Sequence, residues 1–309
     1  MKAIRIHAFG GPDVLKLESI GEPQPLDDEI LIRVRASGVG PWDAWVRSGK
    51  SMLPQPLPLT PGSDVAGTVV AVGKGVEHLR VGDAVYGATN ERFTGGYAEY
   101  AVAVGNMIAK MPTTLDYVGA ASVPVVATTA WQALFDYADV ARGQDVLVLG
   151  AAGNVGSYVV QIAARAGAAV TAVEGPQDQI FAQELGAEAS FDYRLHRIDQ
   201  LPRNFDIVVD TVGGDTLAQS YCVVKSGGVV ISTVAQPDDK LLSEKSVRSA
   251  FFLVKVTSDL LSRFSVLFDE GKLRSTVGEI LPLRQARRAH EMLGGAPHVR
   301  GKIVLTPDG

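Results

Sequence analysis

Cysteine is almost absent from this chain. A single residue, Cys222, occurs in 309, so no internal disulfide can close and no zinc site can be built from thiolates alone. Cys222 itself is expected to be a small apolar residue buried in a helix. Charge is also sparse, at 20% of residues with a formal net of −5. Lysine and arginine form no block, so the sequence carries no electrostatic footprint for nucleic acid or an anionic membrane surface. In the opening stretch MKAIRIHAFGGPDVLKLESI, charges interrupt the apolar residues every few positions. Neither a signal-peptide core nor a membrane span fits there, and a cytoplasmic location is expected. The histidines His7, His78, His196, His290 and His298 stand apart without ligand spacing, and surface or packing roles are expected for them. A GxSxG elbow is missing, which sets serine hydrolase chemistry aside.

What is present is a globular composition. Hydrophobic residues make up 46% of the chain, enough for a packed core, and the length accommodates two domains. From Met1 to about Pro124, runs such as EILIRVRASG, DVAGTVVAVG and GYAEYAVAV alternate between apolar and polar residues and are separated by Gly, Pro and Asp. A period of two predicts half-buried antiparallel strands and a β-rich, barrel-like unit. Within it, PWDAWVRSG reads as a helical turn opened by Pro41, and the prolines of MLPQPLPLTPG predict a loop.

Beyond Pro124 the rhythm changes. VATTAWQALFDYADV has helical spacing, while DVLVLG, AAVTAV, AEASFDY, FDIVVDTVG and GGVVISTVA are nearly continuous apolar runs, as strands covered on both faces should be. The helical segments SYVVQIAARAG, DQIFAQELG and DTLAQSYCVVKSG alternate with them, predicting an α/β, doubly wound parallel sheet through about Val256. The tail from Thr257 carries two helical patterns and a last strand, GKIVLTP, and is expected to pack back on the first domain. The expected domains are residues 1–124 with 257–309, and 125–256.

The strongest motif is DVLVLGAAGNVGSYVVQIAARAG, where a strand runs through a turn holding Gly150, Gly153 and Gly156 directly into a helix. Ala151 stands where the first glycine of a GxGxxG fingerprint would lie. Small residues let the backbone approach a pyrophosphate, and free amides at the helix N-terminus face the anion. Glu174 ends the next strand, where a carboxylate accepts hydrogen bonds from the adenosine ribose hydroxyls and repels a 2′-phosphate. GPQDQIFAQ supplies no Lys or Arg to offset that repulsion, so these residues lean toward NAD(H) over NADP(H). The other reading of Glu174 is a solvated loop charge.

Nine segments in order, KAIRIHAFGGPDVLKL, ASGVGPWDAWVRSG, PGSDVAGTVVAVGKGV, VGDAVYG, GGYAEYAV, TTAWQAL, GAAGNVGS, VVDTVGG and RGKIVL, resemble the medium-chain dehydrogenase/reductase superfamily over essentially the full chain. Within it, the chain is similar to the zinc-free quinone oxidoreductases and enone reductases. The resemblance implies a GroES-like substrate domain built from both chain ends, a Rossmann domain inserted between them, and hydride transfer at their junction. It implies cofactor contacts from Thr129 near the nicotinamide, and from Ala151, Gly153, Asn154 and Val155 at the pyrophosphate. Tyr193 would lie by the adenosine, Val212, Gly213 and Gly214 would border the cofactor, and Val234, Phe252 and Leu253 would approach the nicotinamide ring. Thr129 has a second reading as a helix-capping hydroxyl, and Tyr193 as a surface aromatic. A homodimer through the nucleotide sheet is also implied, with FFLVKV as the edge strand.

The superfamily's zinc enzymes carry a cysteine within GVGPWD and a His-Glu pair after the Pro-Gly of PGSDVAG. Here those positions are Gly40, Ser63 and Asp64, and the four-cysteine structural lobe is missing, so no zinc is expected. Hydride transfer to an already electrophilic small molecule, a quinone or an α,β-unsaturated carbonyl, is then the expected chemistry. The resemblance also implies an asparagine at Gly40, often a tyrosine at Trp45, and a preference for NADPH. Without those polar groups, Gly40, Trp42, Trp45, Met52 and Tyr97 are left as candidates for an apolar substrate pocket, with core packing the other reading of the tryptophans. No catalytic residue is assigned. Two further readings stay open. One is a zinc-free carbonyl reductase with Tyr97 or Ser51 as general acid, the other a nonenzymatic NAD(P)H-binding protein that senses redox state.

Overall fold

The computed structural model describes residues 1–201 and 204–307. They form two compact units, one of Met1–Val125 with Lys255–Gly309 and one of Val126–Val254.

The first unit begins with an antiparallel pair, β1 (Lys2–Arg5) and β2 (Lys16–Ser19). Its axis is the long β3 (Glu29–Val39), followed by β4 (Asp64–Val72), β5 (Ala84–Ala88), β6 (Tyr100–Val104) and β7 (Ile108–Lys110). Alternation in β3 is realised as expected: Ile30, Ile32 and Val34 point inward onto Val65, Val69, Val85 and Ile108, while Arg33 and Arg35 are exposed. β4 pairs with β3 on one side, and β6 takes up Glu29–Arg33 on the other. Helix α1 (Pro41–Ser48) starts where Pro41 follows the extended Gly40 and stops at Gly49, whose left-handed φ of 74° only glycine adopts without strain. Helix α2 (Tyr117–Ala121) is capped by the Asp116 carboxylate, which accepts from the Gly119 N–H at 2.7 Å.

Helix α3 (Pro124–Trp131) runs into a widened π turn over Gln132–Tyr137. The second unit is then a parallel sheet of β8 (Asp145–Leu149), β9 (Ala169–Glu174), β10 (Ala189–Asp192), β11 (Phe205–Asp210), β12 (Val224–Ser232) and β13 (Arg248–Phe251). Spatial order is β10-β9-β8-β11-β12-β13, the doubly wound arrangement whose order reverses between β8 and β11. Val146–Leu149 and Ile207–Val209 are fully buried, which explains why the central strands show no alternation. Helices α4 (Asn154–Ala166), α5 (Gln179–Glu184), α6 (Gly214–Ser220) and α7 (Asp239–Ser243) connect the strands.

Three expectations need correction here. The helix in DTLAQSYCVVKSG ends at Ser220, and Cys222 lies exposed in the turn that follows. Val223 and Val224 are buried as the chain enters β12, so the apolar run there belongs to the strand entry and not to a helix face. The edge strand is Arg248–Phe251, and FFLVKV contributes only its first residue.

The remaining segment supplies α8 (Ser258–Asp269), β14 (Val277–Pro282), α9 (Ala286–Leu293) and β15 (Lys302–Thr306) to the first unit. β15 pairs antiparallel with Ser37–Val39 of β3, and β14 pairs parallel with β15. The tail therefore completes the sheet whose N-terminal part lies more than 200 residues away in sequence, and a second core forms from Ile4, Ile6, Val46, Tyr97, Leu281, Met292 and Ile303. Among the described residues no helix is long and apolar enough to cross a membrane.

Candidate active site

Every residue that the resemblance implies for the cofactor lies in the second unit, and most lie at the carboxyl ends of its strands. After β8, Gly150 takes a left-handed φ of 78°, and its carbonyl accepts the Gly153 N–H at 2.9 Å. The Gly150 and Ala151 amides both bond to the Val173 carbonyl, tying the turn to β9. α4 follows with Gly153 at its N-cap, so the amides of Asn154, Val155 and Gly156 belong to its first turn and have no partner within the helix. A Cβ on Gly156 would fall 2.1 Å from the Gly150 carbonyl oxygen and 3.0 Å from the Ala151 Cα. The helix start is thus pressed against the turn at a distance that admits only glycine. Ala151 is itself fully buried, and its methyl group is accommodated.

At the end of β11 the structure reveals a residue that motif reading missed. Asp210 is fully buried, and its carboxylate accepts from the amides of Val212 and Gly213 at 3.1 and 2.9 Å and from the Ser232 hydroxyl at 2.7 Å. This arrangement folds the VVDTVGG loop so that Gly213 and Gly214 take left-handed φ of 81° and 57°. Gly150 packs against Thr211 and Val212, and Gly213 against Val234. Val212, Val234, Leu253 and Tyr193 stay exposed although apolar, as the rim of a ligand surface would be. Phe252 follows β13 and stacks on Tyr137 of the π turn, with centroids 4.4 Å apart and planes at 20°. Thr129 lies in α3 and is nearly buried.

Glu174 is also nearly buried. Its carboxylate accepts a short hydrogen bond from Ser190, while Oε2 has no partner among the described residues. Burial pushes this carboxyl up, the Ser190 bond opposes that, and the nearby Asp178 and Asp192 raise it further. The solvated-loop reading therefore fails for Glu174. Tyr193 joins it through a 3.2 Å bond from its N–H to the Glu174 carbonyl. Arg194, which sequence reading passed over, stands next to it with its guanidinium 5.7 Å from the Tyr193 ring centroid.

All the proposed substrate residues lie in the first unit. Trp45 and Met52 are exposed, at 42% and 70%. Gly40 is buried beneath Trp42, and Trp42 is half-buried. Tyr97 departs from expectation. It is fully buried in the core, and its hydroxyl donates to Asp43 Oδ2 at 2.9 Å. Burial and the adjoining Asp43 hold its hydroxyl well above the usual tyrosine range, and with no exposed surface the side chain packs in the core instead of lining an open pocket. Ser51 Oγ accepts from the Leu53 amide and the Gln55 side chain. His290 occupies the packing role expected of it, buried edge-on against Tyr97 and accepting from Arg47 at 3.0 Å.

Asp43 anchors α1, since its Oδ2 also accepts the Gly40 N–H at 2.8 Å. Burial pushes its carboxyl up to about 7, only partly offset by Gly40, Lys302 and Tyr97. His290 is pulled down to about 3, by burial first and then by the Arg47 charge. Between 3.8 and about 7 the folded chain holds a proton at Asp43 that the unfolded chain releases, so this group's stabilisation falls as pH rises. Between about 3 and 6.5 the unfolded chain binds a proton at His290 that the folded chain refuses, so that contribution rises with pH. The two slopes oppose each other. Relative to the parent, Asp43→Asn is expected to make stability climb more steeply with pH and His290→Asn less steeply, each by up to about 1.4 kcal/mol per pH unit. Urea midpoints across this range measure both slopes, and two variants tilting the same way would contradict the assignment.

Two families match parts of the chain, the second running from the second unit into the C-terminal part of the first. The family described as alcohol dehydrogenase GroES-like domain matches residues 26–113, and the family described as zinc-binding dehydrogenase matches residues 185–305. Quinone oxidoreductase of Homo sapiens is 33% identical, with 99% of this chain and 97% of that protein covered. The chain belongs to the quinone oxidoreductase group of the medium-chain dehydrogenases/reductases. The solved structure of the quinone oxidoreductase from Coxiella burnetii overlays with a TM-score of 0.91 at 32% identity, covering 99% of both chains. A chloroplastic NADPH-dependent alkenal/one oxidoreductase of Arabidopsis thaliana is 33% identical over 99% of this chain and 80% of its own.

The zinc in one family's description does not fit the residues of this quinone oxidoreductase relative. Gly40 offers no donor atom, Ser63 Oγ accepts the Trp42 indole N–H at 3.1 Å, and Asp64 is paired with Lys302 at 2.9 Å. Among the described residues no three His, Cys, Asp or Glu side chains gather as a metal would require.

Proposed function

We propose that the chain binds a reduced nicotinamide dinucleotide on the strand-end edge of its second unit and uses it to reduce a quinone or an α,β-unsaturated carbonyl. The observation that carries this reading is the start of α4, pressed onto the Gly150 turn so closely that only glycine fits at 156. Such a turn brings the Asn154 and Val155 amides up to a pyrophosphate, while Gly153, whose N–H is held by the Gly150 carbonyl, gives the close approach. A bound reduced nicotinamide would supply hydride, and the acceptor would take up that hydride together with a proton from water. Thr129 would hold the nicotinamide, with Val234, Phe252 and Leu253 shielding it from water. The loop organised by Asp210 presents Val212, Gly213 and Gly214 to the cofactor.

We assign NADH as the preferred donor. The partnerless Oε2 of Glu174 suits a ribose hydroxyl, and Asp178 and Asp192 add to an acidic surround that disfavours a 2′-phosphate. One observation favours NADPH instead, namely Arg194 beside Tyr193. Calorimetric dissociation constants for both dinucleotides decide between them. Glu174→Ala is expected to move the NADH:NADPH affinity ratio toward NADPH by about tenfold, and an unchanged ratio would remove Glu174 from the argument.

The activity itself is tested by oxidation of NADH and NADPH with a panel of quinones, alkenals and enones. Turnover with at least one acceptor is expected, and cofactor binding with no turnover of any would favour the nonenzymatic reading. A homodimer through β13, the terminal strand of that sheet, in the cytoplasm, completes the proposal. Sedimentation as a monomer would overturn the dimer.

A further inference from the structure

Beside Glu174, at the edge of the second unit's sheet, stands a hydroxyl that no motif marks. β10 pairs in parallel with β9, placing Ser190 opposite Ala172 and Asp192 opposite Glu174. Residues two apart on a strand share a face, so Ala172, Glu174, Ser190 and Asp192 point to the same side of the sheet. Ala172 carries only a methyl group, which leaves the Glu174 carboxylate room to turn back along the strand. There its Oε1 accepts from the Ser190 hydroxyl.

Without that bond the carboxylate would have little reason to stay. Glu174 is nearly buried, and burial, Asp178 and Asp192 all disfavour its charged form. Desolvation and like charge both favour rotation of a long side chain toward water, and Ser190 opposes them. The bond occupies Oε1 and leaves Oε2 covered, with no partner among the described residues. A buried acceptor without a donor is costly, and an adenosine ribose hydroxyl would fill it. A 2′-phosphorylated ribose has no hydroxyl at that carbon and would bring further negative charge to Glu174, Asp178 and Asp192.

We propose that Ser190 is the positioning residue for Glu174 and thereby sets the margin by which NADH is preferred over NADPH. The proposal rests on the assignment of NADH above. An acceptor held in one orientation before the ligand arrives loses little freedom on binding. The hydroxyl touches neither dinucleotide and acts through the carboxylate alone.

Calorimetric dissociation constants for NADH and NADPH, on the parent and four variants, test this. The ratio of the NADPH constant to the NADH constant is expected to fall about threefold in Ser190→Ala. Ser190→Thr, which keeps the hydroxyl, should stay at the parent ratio. In Glu174→Ala combined with Ser190→Ala, the ratio should equal that of Glu174→Ala alone, because the hydroxyl then has nothing to hold. A general loosening of the sheet edge would weaken both dinucleotides alike and leave the ratio where it was. A ratio unmoved by Ser190→Ala but shifted by Glu174→Ala overturns the proposal and leaves the NADH assignment standing. An equal fall with and without Glu174, or a threonine variant that matches alanine, overturns it as well. A ratio that Glu174→Ala does not move defeats the NADH assignment itself, and the role of Ser190 falls with it.

Discussion

Gly156→Val is expected to abolish measurable dinucleotide binding. The Cβ would meet a backbone carbonyl oxygen at 2.1 Å and a backbone Cα at 3.0 Å, and neither can swing aside as the end of a side chain could. The start of α4 must therefore move away from the Gly150 turn. That displaces the Asn154 and Val155 amides from the position they need for a pyrophosphate, and a shift of about 1 Å in such a site costs roughly a hundredfold. Overpacking should also cost about 1–3 kcal/mol of stability. Gly153→Ala provides the contrast. Its φ of −72° suits any residue and its Cβ would lie 3.1 Å from the Gly150 carbonyl oxygen, so a milder loss of affinity is expected. Calorimetric titration with NADH, alongside melting curves, separates affinity from folding. A valine variant that binds as tightly as the parent would refute the pyrophosphate assignment.

Lys302→Met is expected to destabilise the first unit strongly. Lys302 and Asp64 are 1% and 0% exposed, and their ion pair joins residues 238 apart in the sequence. Burial pushes the Asp64 carboxyl up, and the Lys302 ammonium and the Val125 N–H at 3.1 Å draw it back. Removing the ammonium leaves Asp64 in the interior without its partner charge, beside a second buried carboxyl at Asp43. Breaking such a pair from one side costs about 3–5 kcal/mol. Asp64→Asn combined with Lys302→Met removes both charges while the amide oxygen can still accept the Val125 N–H. The double variant should recover more than half of the loss in urea unfolding. A double variant as unstable as Lys302→Met alone would show that packing on Trp42, whose ring centroid lies 4.3 Å from the ammonium, and not charge, sets the value of this lysine.

The glycine turn that opens α4 was legible because its requirements are local. A strand, a small-residue turn and a helix start are consecutive in DVLVLGAAGNVGS, and the backbone geometry they need is written in residue type. Glu174 was placed from its position at a strand end, but its burial and its bond to Ser190 depend on the neighbouring β10. Arg194 is not legible from the residues just after β9, because the chain returns to that edge only at the end of β10. Asp210 was missed because an acid before VGG has no distinctive spacing, and its work of folding the loop appears only with Ser232 alongside.

The amino-acid sequence by itself determined the two kinds of sheet, the glycine-dependent turn and the absence of zinc donors at positions 40 and 63, since periodicity, backbone freedom and ligand chemistry are properties of single residues and short runs. Tertiary structure alone decided that Tyr97 is buried on Asp43, that Cys222 is exposed, that the nucleotide sheet ends in a strand of four residues, and that Trp42 occupies the space over Gly40. Each of those outcomes depends on which distant groups share an interior. Burial makes a polar or aromatic side chain take whatever partner the packing brings, and here the partners came from both ends of the chain.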